Sequence, residues 1–297
     1  MKKQCIAITG ACGSIGQALV ATLSEQPLRL LSRSYDKLKA CFPSRGIGEL
    51  CSVDYSIDQL RSSLSGVDCL VHLAASRPGT EEETLETYRD NIFITDSLYQ
   101  VCRELNICNV VYASSTAVYS SINTIPYEER EIAGPANFYA LSKLIGESLG
   151  ELYGLKQKAL RIASVIAPDE NPAYMRMAFI HKALKGQDLN IYAVSHREYI
   201  YYKDVVAAIV LALNKPELSG VFNIGSGVSV SNLDYAQSVN QVLAQGTLNI
   251  HLTADCCENG ENHVMACDKA RCELGFAAGY SLDAALREIG EDLRARL

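Results

Sequence analysis

Short apolar runs alternate with longer amphipathic stretches through the first half of the chain. The apolar runs predict strands at residues 5–9, 28–31, 50–53, 69–73, 110–114 and 159–163. The amphipathic stretches predict helices at residues 14–25, 57–64, 84–105, 136–152 and 173–185. Strands that alternate with helices favour a parallel sheet covered on both faces. The pattern therefore predicts an α/β fold.

The alternation becomes less regular after Pro168, where residues 169–172 have the composition of a loop. Strands are expected at 189–192 and 221–224, a strand end followed by a helix at 199–213, and helices at 231–243 and 283–294. We predict that residues 1–165 form a large domain, that residues 199–225 return to it, and that residues 166–198 and 226–297 form a smaller lobe. This lobe would cover the carboxyl ends of the sheet, where open α/β sheets bind ligands.

Composition excludes several classes of partner. The 297 residues carry a net charge of −7 without a run of lysine and arginine, so nucleic acid is not expected as a partner. No apolar run approaches the ~18 residues of a membrane span, and the N-terminal apolar run is too short for a signal peptide. We therefore expect a cytoplasmic protein.

The chain has eleven cysteines, an odd number with scattered spacing, which is typical of reduced thiols. Cys256, Cys257, His263, Cys267 and Cys272 lie close in sequence, but they lack the paired C-x-x-C spacing of a zinc site. We interpret them as buried or surface thiols and predict no metal.

A glycine-rich segment connects the first predicted strand to the first predicted helix. Gly10, Gly13 and Gly16 permit a tight turn and let the backbone approach a ligand closely. The predicted helix begins at Ser14 and Ile15, so the N–H groups around them are free to bind a ligand. Such a helix N-terminus favours a pyrophosphate. The spacing is G-x-x-G-x-x-G, not the more common G-x-G-x-x-G, and a plain strand-to-helix turn is the alternative. Together with the later motif, the segment predicts a dinucleotide site.

Two residues bear on the type of dinucleotide. Arg33 follows the second predicted strand, where an acidic residue would bind the ribose of NAD, and an arginine there can bind the 2′-phosphate of NADP. The cofactor is therefore NAD or NADP, with NADP slightly favoured, unless Arg33 is an ordinary surface residue. Asp54, after the third strand, is a candidate acceptor for the adenine amine or, alternatively, a turn or helix cap.

Tyr139 and Lys143 are four residues apart and so share one face of a helix. A free tyrosine with a pKa near ~10 is a poor base at neutral pH. The Lys143 ammonium and the positive charge of an oxidised nicotinamide would favour the phenolate. Tyr139 could then exchange a proton with a substrate hydroxyl while hydride moves to or from the cofactor.

In their order and spacing, these motifs resemble the extended short-chain dehydrogenase/reductase family, of the NAD-dependent epimerase/dehydratase type. The resemblance spans nearly the whole chain and rests on Thr9-Gly10-x-x-Gly13-x-x-Gly16, Asp54, His72-Leu73-Ala74-Ala75, Arg89-Asp90-Asn91-Ile92, Tyr112-Ala113-Ser114-Ser115-Thr116-Ala117-Val118-Tyr119, Phe138-Tyr139-Ala140-Leu141-Ser142-Lys143, Leu160-Arg161, Arg197-Glu198-Tyr199-Ile200 with Asp204-Val205, Phe222-Asn223-Ile224-Gly225, and Lys269-Ala270-Arg271-Cys272-Glu273-Leu274-Gly275-Phe276. It implies a Rossmann-type, doubly wound parallel sheet that binds NAD(P), with a smaller C-terminal substrate-binding lobe.

The resemblance also implies roles for individual residues. Ser115 would orient the reacting oxygen, with Thr116 as an alternative hydroxyl, although both could simply form strand-end hydrogen bonds. Lys143 would also hold the nicotinamide ribose, and Leu73, Ala74 and Ala75 would line the cofactor groove.

Arg197 would grip the diphosphate of a nucleotide sugar, for which a planar guanidinium is suited, or else form a salt bridge near the junction with the lobe. The helices near 84–105 and 136–152 correspond to those that pair as a four-helix bundle in family homodimers.

The chain departs from the family pattern at the substrate site. Ser164 replaces an asparagine that contacts substrate in the family, and Ala167 replaces a glycine. Family dehydratases carry an Asp-Glu pair right after the catalytic serine or threonine, whereas this chain has Thr116-Ala117 there, so dehydration of a sugar is not expected.

Three functions are compatible with this pattern. The first is an NAD(P)-dependent epimerase of a nucleotide sugar, with Tyr139 as the acid and base. The second is an NADPH-dependent reductase of a keto-sugar or other small carbonyl compound, which Arg33 and the altered Ser164 segment favour. The third is a non-enzymatic NAD(P)-binding protein, although Ser115, Tyr139 and Lys143 are all retained.

Overall fold

A computed structural model describes residues 3–43, 46–79, 83–120, 123–131, 133–192, 194–252 and 258–296. Its strands, numbered along the chain, are β1 (Ile6–Thr9), β2 (Leu28–Ser32), β3 (Glu49–Ser52), β4 (Cys69–His72), β5 (Asn109–Ser115), β6 (Lys156–Ile162), β7 (Ser164–Ile166), β8 (Leu189–Ile191), β9 (Val194–Tyr201), β10 (Gly220–Ile224), β11 (Ser229–Ser231), β12 (Ile250–Leu252) and β13 (Glu258–His263). The six strands predicted in the first half of the chain are thus confirmed as β1 to β6.

Within these residues the main sheet has seven strands, all parallel, in the order β10-β6-β5-β4-β1-β2-β3. The chain builds outward from β1 to β3, and then crosses back to place β4 on the other side of β1. This reversal leaves a crevice at the carboxyl ends of β1 and β4, as in other doubly wound sheets. The predicted fold class is therefore confirmed.

Helices cover both faces of the sheet. They are α1 (Ser14–Thr22), α2 (Tyr35–Cys41), α3 (Ile57–Ser63), α4 (Arg89–Glu104), α5 (Phe138–Leu152), α6 (Met175–Leu184), α7 (Tyr202–Leu213), α8 (Asn232–Ala244) and α9 (Leu282–Ala295). Helices α1, α2 and α7 share one apolar core with the sheet. Helices α3 and α4 share a second core on the opposite face, against which α5 also packs.

A third core lies outside the main sheet. It joins α6, α8 and α9 to Tyr199 and Tyr201 of β9. Around β9 a small four-stranded sheet forms, in which β9 pairs with β7, β11 and β13. β8 and β12 form a separate two-stranded sheet. Because β7 follows β6 by a single residue, the carboxyl ends of the main sheet feed directly into this smaller layer.

The region before α4 differs from the prediction. Residues Glu86–Tyr88 form a short 3-10 turn, and the helix expected from residue 84 begins only at Arg89. The turn directs Tyr88 inward, where its fully buried ring lies 5.8 Å from that of Tyr139. The amphipathic pattern predicted a helix from residue 84 and could not distinguish its first turn from a separate 3-10 turn.

The cysteines among the described residues form no disulfide bonds. Nine cysteines lie in this part of the chain, and all are free thiols. No group of metal-binding side chains occurs within it. Cys256 and Cys257 of the cysteine cluster lie outside the described residues. None of the described helices combines the length and apolarity that a bilayer span requires.

Helix α5, which carries Tyr139 and Lys143, lies close against β5. At Gly146 an added Cβ would collide with the hydroxyl oxygen of Tyr112, which is completely buried in β5. His72 and Tyr99 pack around the Tyr112 ring, so it cannot easily move aside. The distance between α5 and β5 therefore depends on the missing side chain at Gly146.

We predict that Gly146→Ala lowers the free energy of unfolding. Over-packing of a core costs ~1–3 kcal/mol, and the enclosed Tyr112 places this site in the upper part of that range, at ~2–3 kcal/mol. Because alanine improves helix propensity by ~1 kcal/mol, we expect a net loss of about 1–2 kcal/mol. Urea denaturation measures the change, with Ser148→Ala on the exposed side of α5 as the control. Unchanged or increased stability of Gly146→Ala would show that the contact with Tyr112 is not limiting.

Candidate active site

A cleft of about 1180 Å³ opens where the carboxyl ends of the main sheet meet the smaller layer. It brings together fourteen of the predicted site residues, namely Gly10, Gly13, Ser14, Ile15, Gly16, Leu73, Ala74, Ala75, Ser115, Thr116, Tyr139, Lys143, Ser164 and Arg197. Arg33 lines a smaller adjoining cleft of about 270 Å³, which shares Gly10, Gly13, Ala74 and Ala75 with the larger one. Asp54 lines neither cleft.

The glycine segment after β1 brings two backbones into contact. Gly10 has φ +72, and a Cβ there would lie 2.7 Å from the backbone nitrogen of Ala74. At Gly16 a Cβ would collide with the carbonyl oxygen of Gly10. Only glycine fits at these positions, so the segment can lie flat against Ala74 and leave room above it.

The N-terminus of α1 binds a negatively charged side chain, that of Asp169. The Ser14 backbone N–H donates to the Asp169 carboxylate at 2.9 Å, and the buried Ser14 hydroxyl has no hydrogen-bond partner among the described residues. A helix N-terminus with a free buried hydroxyl, above a glycine cradle, fits a dinucleotide pyrophosphate. The Asp169 carboxylate would have to release Ser14 when a phosphate binds there.

The smaller cleft is bordered by opposite charges. Arg33 donates to the Asp90 carboxylate at 2.6 Å, and both side chains are well exposed. No acidic residue follows β2 directly. Asp90, in the first turn of α4, nevertheless places a carboxylate beside this cleft. Asp54 accepts a hydrogen bond from the Ser56 N–H at 2.8 Å and stabilises a turn, and its contact with adenine stays a prediction.

Tyr139 and Lys143 lie on the cleft side of α5, as their spacing predicts. Asn137 caps the helix by accepting a hydrogen bond from the Ala140 N–H at 2.8 Å. Burial raises the pKa of the Tyr139 phenol, while a hydrogen bond with Ser115 and the charge of Arg77 oppose this rise. Ser115, the last residue of β5, is therefore close enough to share a substrate oxygen with Tyr139.

Lys143 is almost completely buried, and its ammonium donates to the Ala113 carbonyl at 2.8 Å. The Nζ atom lies 5.1 Å from the centre of the Tyr112 ring and 5.8 Å from that of Tyr139. Burial, aided by the charge of Arg77, lowers the pKa of Lys143 to about 7, and Glu147 opposes this. This lowered pKa follows from how deeply the fold buries Lys143, which the sequence pattern did not predict.

A buried hydrogen-bond network supports the segments that carry Ser115 and Lys143. Glu147, one turn after Lys143, accepts hydrogen bonds from Ser114 at 2.5 Å and from Arg161 Nη2 at 2.8 Å. Arg161 also lies 4.7 Å from the centre of the Tyr119 ring. The network joins α5 to β5 and β6 and so fixes the backbone on which Ser115 and Lys143 are carried.

Three further charged residues line the cleft, and the sequence analysis did not identify them. Glu170 accepts from Arg77 Nη1 at 2.9 Å and from Arg176 Nε at 2.6 Å. They come from separate segments without a fixed spacing, so no sequence motif marks them. Asp90 could have been found, because it lies inside the Arg89-Asp90-Asn91-Ile92 motif.

Comparison with known proteins places this geometry among related enzymes. Residues 6–225 match the model of the NAD dependent epimerase/dehydratase family. A dTDP-D-glucose 4,6-dehydratase of Dictyostelium discoideum is 28% identical over 80% of this chain and 61% of its own length, so the chain spans less than two thirds of that relative. A UDP-glucose 4-epimerase of Lacticaseibacillus casei is 27% identical over 93% of this chain and 92% of its own length.

Among solved structures, the UDP-N-acetylglucosamine 4-epimerase of Bacillus cereus superposes with a TM-score of 0.86 at 32% identity. The match covers 98% of this chain and 100% of that one. The family model covers all seven strands of the main sheet, and the structural match extends through the smaller layer. The chain therefore belongs to the NAD-dependent epimerase/dehydratase family.

Proposed function

We propose that the chain is an NAD-dependent epimerase of a nucleotide sugar. The observation that carries this proposal is the convergence of Ser115, Tyr139 and Lys143 on one wall of a cleft of about 1180 Å³. The cleft continues from the glycine cradle past Tyr139 to Arg197, so it can hold a dinucleotide and a second nucleotide together. The 32% identity to a UDP-N-acetylglucosamine 4-epimerase supports the same reaction.

In this proposal the residues around the glycine segment hold the cofactor. Gly10, Gly13, Ser14, Ile15 and Gly16 form the pyrophosphate cradle, and Leu73, Ala74 and Ala75 form the side of the groove. Lys143 would hold the nicotinamide ribose. NAD supplies the hydride acceptor and donor when it is bound.

The chain's own residues manage the proton. Ser115 and Tyr139 both hydrogen-bond the reacting hydroxyl, and Tyr139 removes its proton as the sugar carbon is oxidised. After the keto sugar rotates and presents its other face to the cofactor, Tyr139 returns the proton to the oxygen. Thr116 and Ser164 contact the sugar, and Arg197 binds the diphosphate through its guanidinium.

The domain division belongs to the same proposal. Residues 1–165 with 199–225 bind the cofactor, and residues 166–198 with 226–297 bind the substrate. Two copies associate through α4 and α5, which pack against each other and expose Phe93 and Leu152. The free thiols of the described cysteines agree with a cytoplasmic location.

A reductase of keto sugars is the second candidate. It would use NADPH, and Arg33 is the residue that favoured NADPH. The ion pair with Asp90 weakens this argument, because a 2′-phosphate would have to displace a carboxylate that lies 2.6 Å from the guanidinium. NAD is therefore the cofactor that we propose.

We predict that Tyr139→Phe lowers kcat by ~10²–10⁴ while NAD still binds, because the substitution removes only the acid–base hydroxyl. The assay follows epimer formation from UDP-glucose, UDP-N-acetylglucosamine, UDP-glucuronic acid and UDP-N-acetylmuramic acid in the presence of NAD. Tyr35→Phe on α2, outside the cleft, serves as the control. Full activity of Tyr139→Phe, or no epimer from any of these sugars with the natural protein, would contradict the proposal.

We predict that Lys143 makes stability depend on pH. The penalty for burying its ammonium is complete below pH about 7 and is relieved as the pH rises toward 10.5, the ordinary pKa of lysine. Relative to Lys143→Met, the free energy of unfolding of the natural protein should rise by at most about 1.4 kcal/mol per pH unit above pH about 7. Urea denaturation at several pH values measures the difference. A difference that does not change with pH would show that Lys143 titrates normally.

We predict that the natural protein binds NAD more tightly than NADP and that Asp90→Asn narrows this preference. Removing the carboxylate frees Arg33 for a 2′-phosphate, and an exposed charge pair of ~1 kcal/mol corresponds to about a fivefold gain in NADP affinity. Isothermal titration with both cofactors measures it. The double variant Asp90→Asn/Arg33→Gln should lose the gain, and tighter binding of NADP by the natural protein would overturn the assignment.

A further inference from the structure

The charged group formed by Arg77, Glu170 and Arg176 has no role in the proposed proton transfer, although it lines the same cleft. Arg77 lies beyond β4, Glu170 lies between β7 and α6, and Arg176 lies in the first turn of α6. The Glu170 side chain is only 1% exposed, and its two oxygens accept from the two arginines. A buried carboxylate needs such partners, so Glu170 acts as the fixed centre of the group.

The position of Arg77 is restrained from two sides. Arg176 Nε also donates to the Val165 carbonyl at 2.9 Å, and its guanidinium lies 4.6 Å from the centre of the Tyr174 ring. The Tyr174 hydroxyl donates to the carbonyl of Pro78, the residue after Arg77, at 2.5 Å. The segment that carries Arg77 is therefore attached both to Glu170 and to Tyr174.

The group has an excess of positive charge. Two guanidinium groups surround one carboxylate, and the side chain of Arg77 is 52% exposed. One of its nitrogens binds Glu170, and its Nε and Nη2 form no hydrogen bond within the described part of the chain. These two nitrogens form the edge of a guanidinium that can bind a carboxylate with two parallel hydrogen bonds.

This edge lies close to the reacting groups. Arg77 lines the same cleft as Tyr139 and Lys143. Its charge opposes the rise that burial causes in the pKa of Tyr139, and it adds to the fall that burial causes in the pKa of Lys143. Glu170 balances only one of the two guanidinium groups, so a neutral sugar would leave one positive charge of this group without an opposite charge. An anionic substituent on the sugar would neutralise it, whereas the diphosphate is assigned to Arg197 on β9.

We propose that Arg77, held in place by Glu170 and Arg176, binds a carboxylate on the sugar ring, so that the substrate is an acidic nucleotide sugar. This inference rests on the proposed epimerase function and specifies its substrate class. The carboxylate could be a ring substituent, as in a hexuronic acid, or belong to an ether side chain, as in a muramic acid. Arg77 is then a specificity-determining residue.

The test compares acidic and neutral sugars in the full-length protein with NAD. The probes are UDP-glucuronic acid, UDP-N-acetylmuramic acid, UDP-glucose and UDP-N-acetylglucosamine. We expect kcat/KM of one acidic sugar to exceed that of both neutral sugars by ~10-fold or more, since a charge-assisted hydrogen bond stabilises by ~1.5–3 kcal/mol. A preference for UDP-glucuronic acid would place the carboxylate on the ring, and a preference for UDP-N-acetylmuramic acid would place it on the ether side chain.

The variant Arg77→Gln should reduce kcat/KM for the acidic sugar ~10–100-fold more than kcat/KM for the neutral sugars, mainly through KM. A loss shared by all the sugars reports the charge that Arg77 also places near Tyr139. The variant should fold, because Glu170 keeps its ion pair with Arg176. Arg77→Lys should recover part of the loss, since it restores the charge without the planar edge. Arg271→Gln, an exposed arginine paired with Asp268 outside the cleft, is the control.

Equal losses with acidic and neutral sugars, or a natural preference for neutral sugars, would overturn the inference and leave Arg77 as a structural clamp. If no sugar is epimerised, the epimerase proposal fails, and binding then decides the inference separately. In that case the melting temperature with NAD should rise more with UDP-glucuronic acid or UDP-N-acetylmuramic acid than with UDP-glucose, and Arg77→Gln should remove the difference. Equal shifts in the natural protein would overturn the inference.

Discussion

The burial of the Lys143 ammonium is the constraint around which the rest of the site is arranged. A charge in a site of low polarity is costly unless hydrogen bonds and opposite charges compensate for it. The structure gives Lys143 one carbonyl, the faces of two tyrosine rings and a carboxylate one turn away at Glu147. Compensation is incomplete, because its pKa still falls to about 7. A bound ligand that accepts a hydrogen bond from Lys143 would offset the remaining cost of burying its ammonium.

The order of the strands determines which segments meet around this charge. Because β4 lies on the opposite side of β1 from β2, the glycine segment after β1 touches Ala74 after β4. The next strand, β5, ends at Ser115, and α5 crosses beside it at the distance that Gly146 allows. Beyond β6, the chain enters the smaller layer and brings Glu170 to Arg77. Cofactor cradle, catalytic wall and substrate pocket thus follow from one sheet topology.

The sequence predicted the parts of this arrangement that local patterns encode. Alternating apolar runs located β1 to β6, the glycine spacing located the cradle, and the four-residue spacing of Tyr139 and Lys143 placed them on one face of α5. The sequence could not show that Asp90 pairs with Arg33, or that Glu170 pairs with Arg77, because these contacts join distant segments. The lowered pKa of Lys143 also escaped prediction, since it depends on how deeply the fold buries the side chain.

In the proposed epimerase reaction, hydrogen leaves the sugar carbon and returns to it as hydride, while Tyr139 moves only the hydroxyl proton. Epimerisation in D₂O tests this, with the product examined by NMR and the cofactor followed by its absorbance. We expect an epimer without carbon-bound deuterium and no net change in the amount of NAD. Deuterium at the inverted carbon, or stoichiometric consumption of the cofactor, would contradict it.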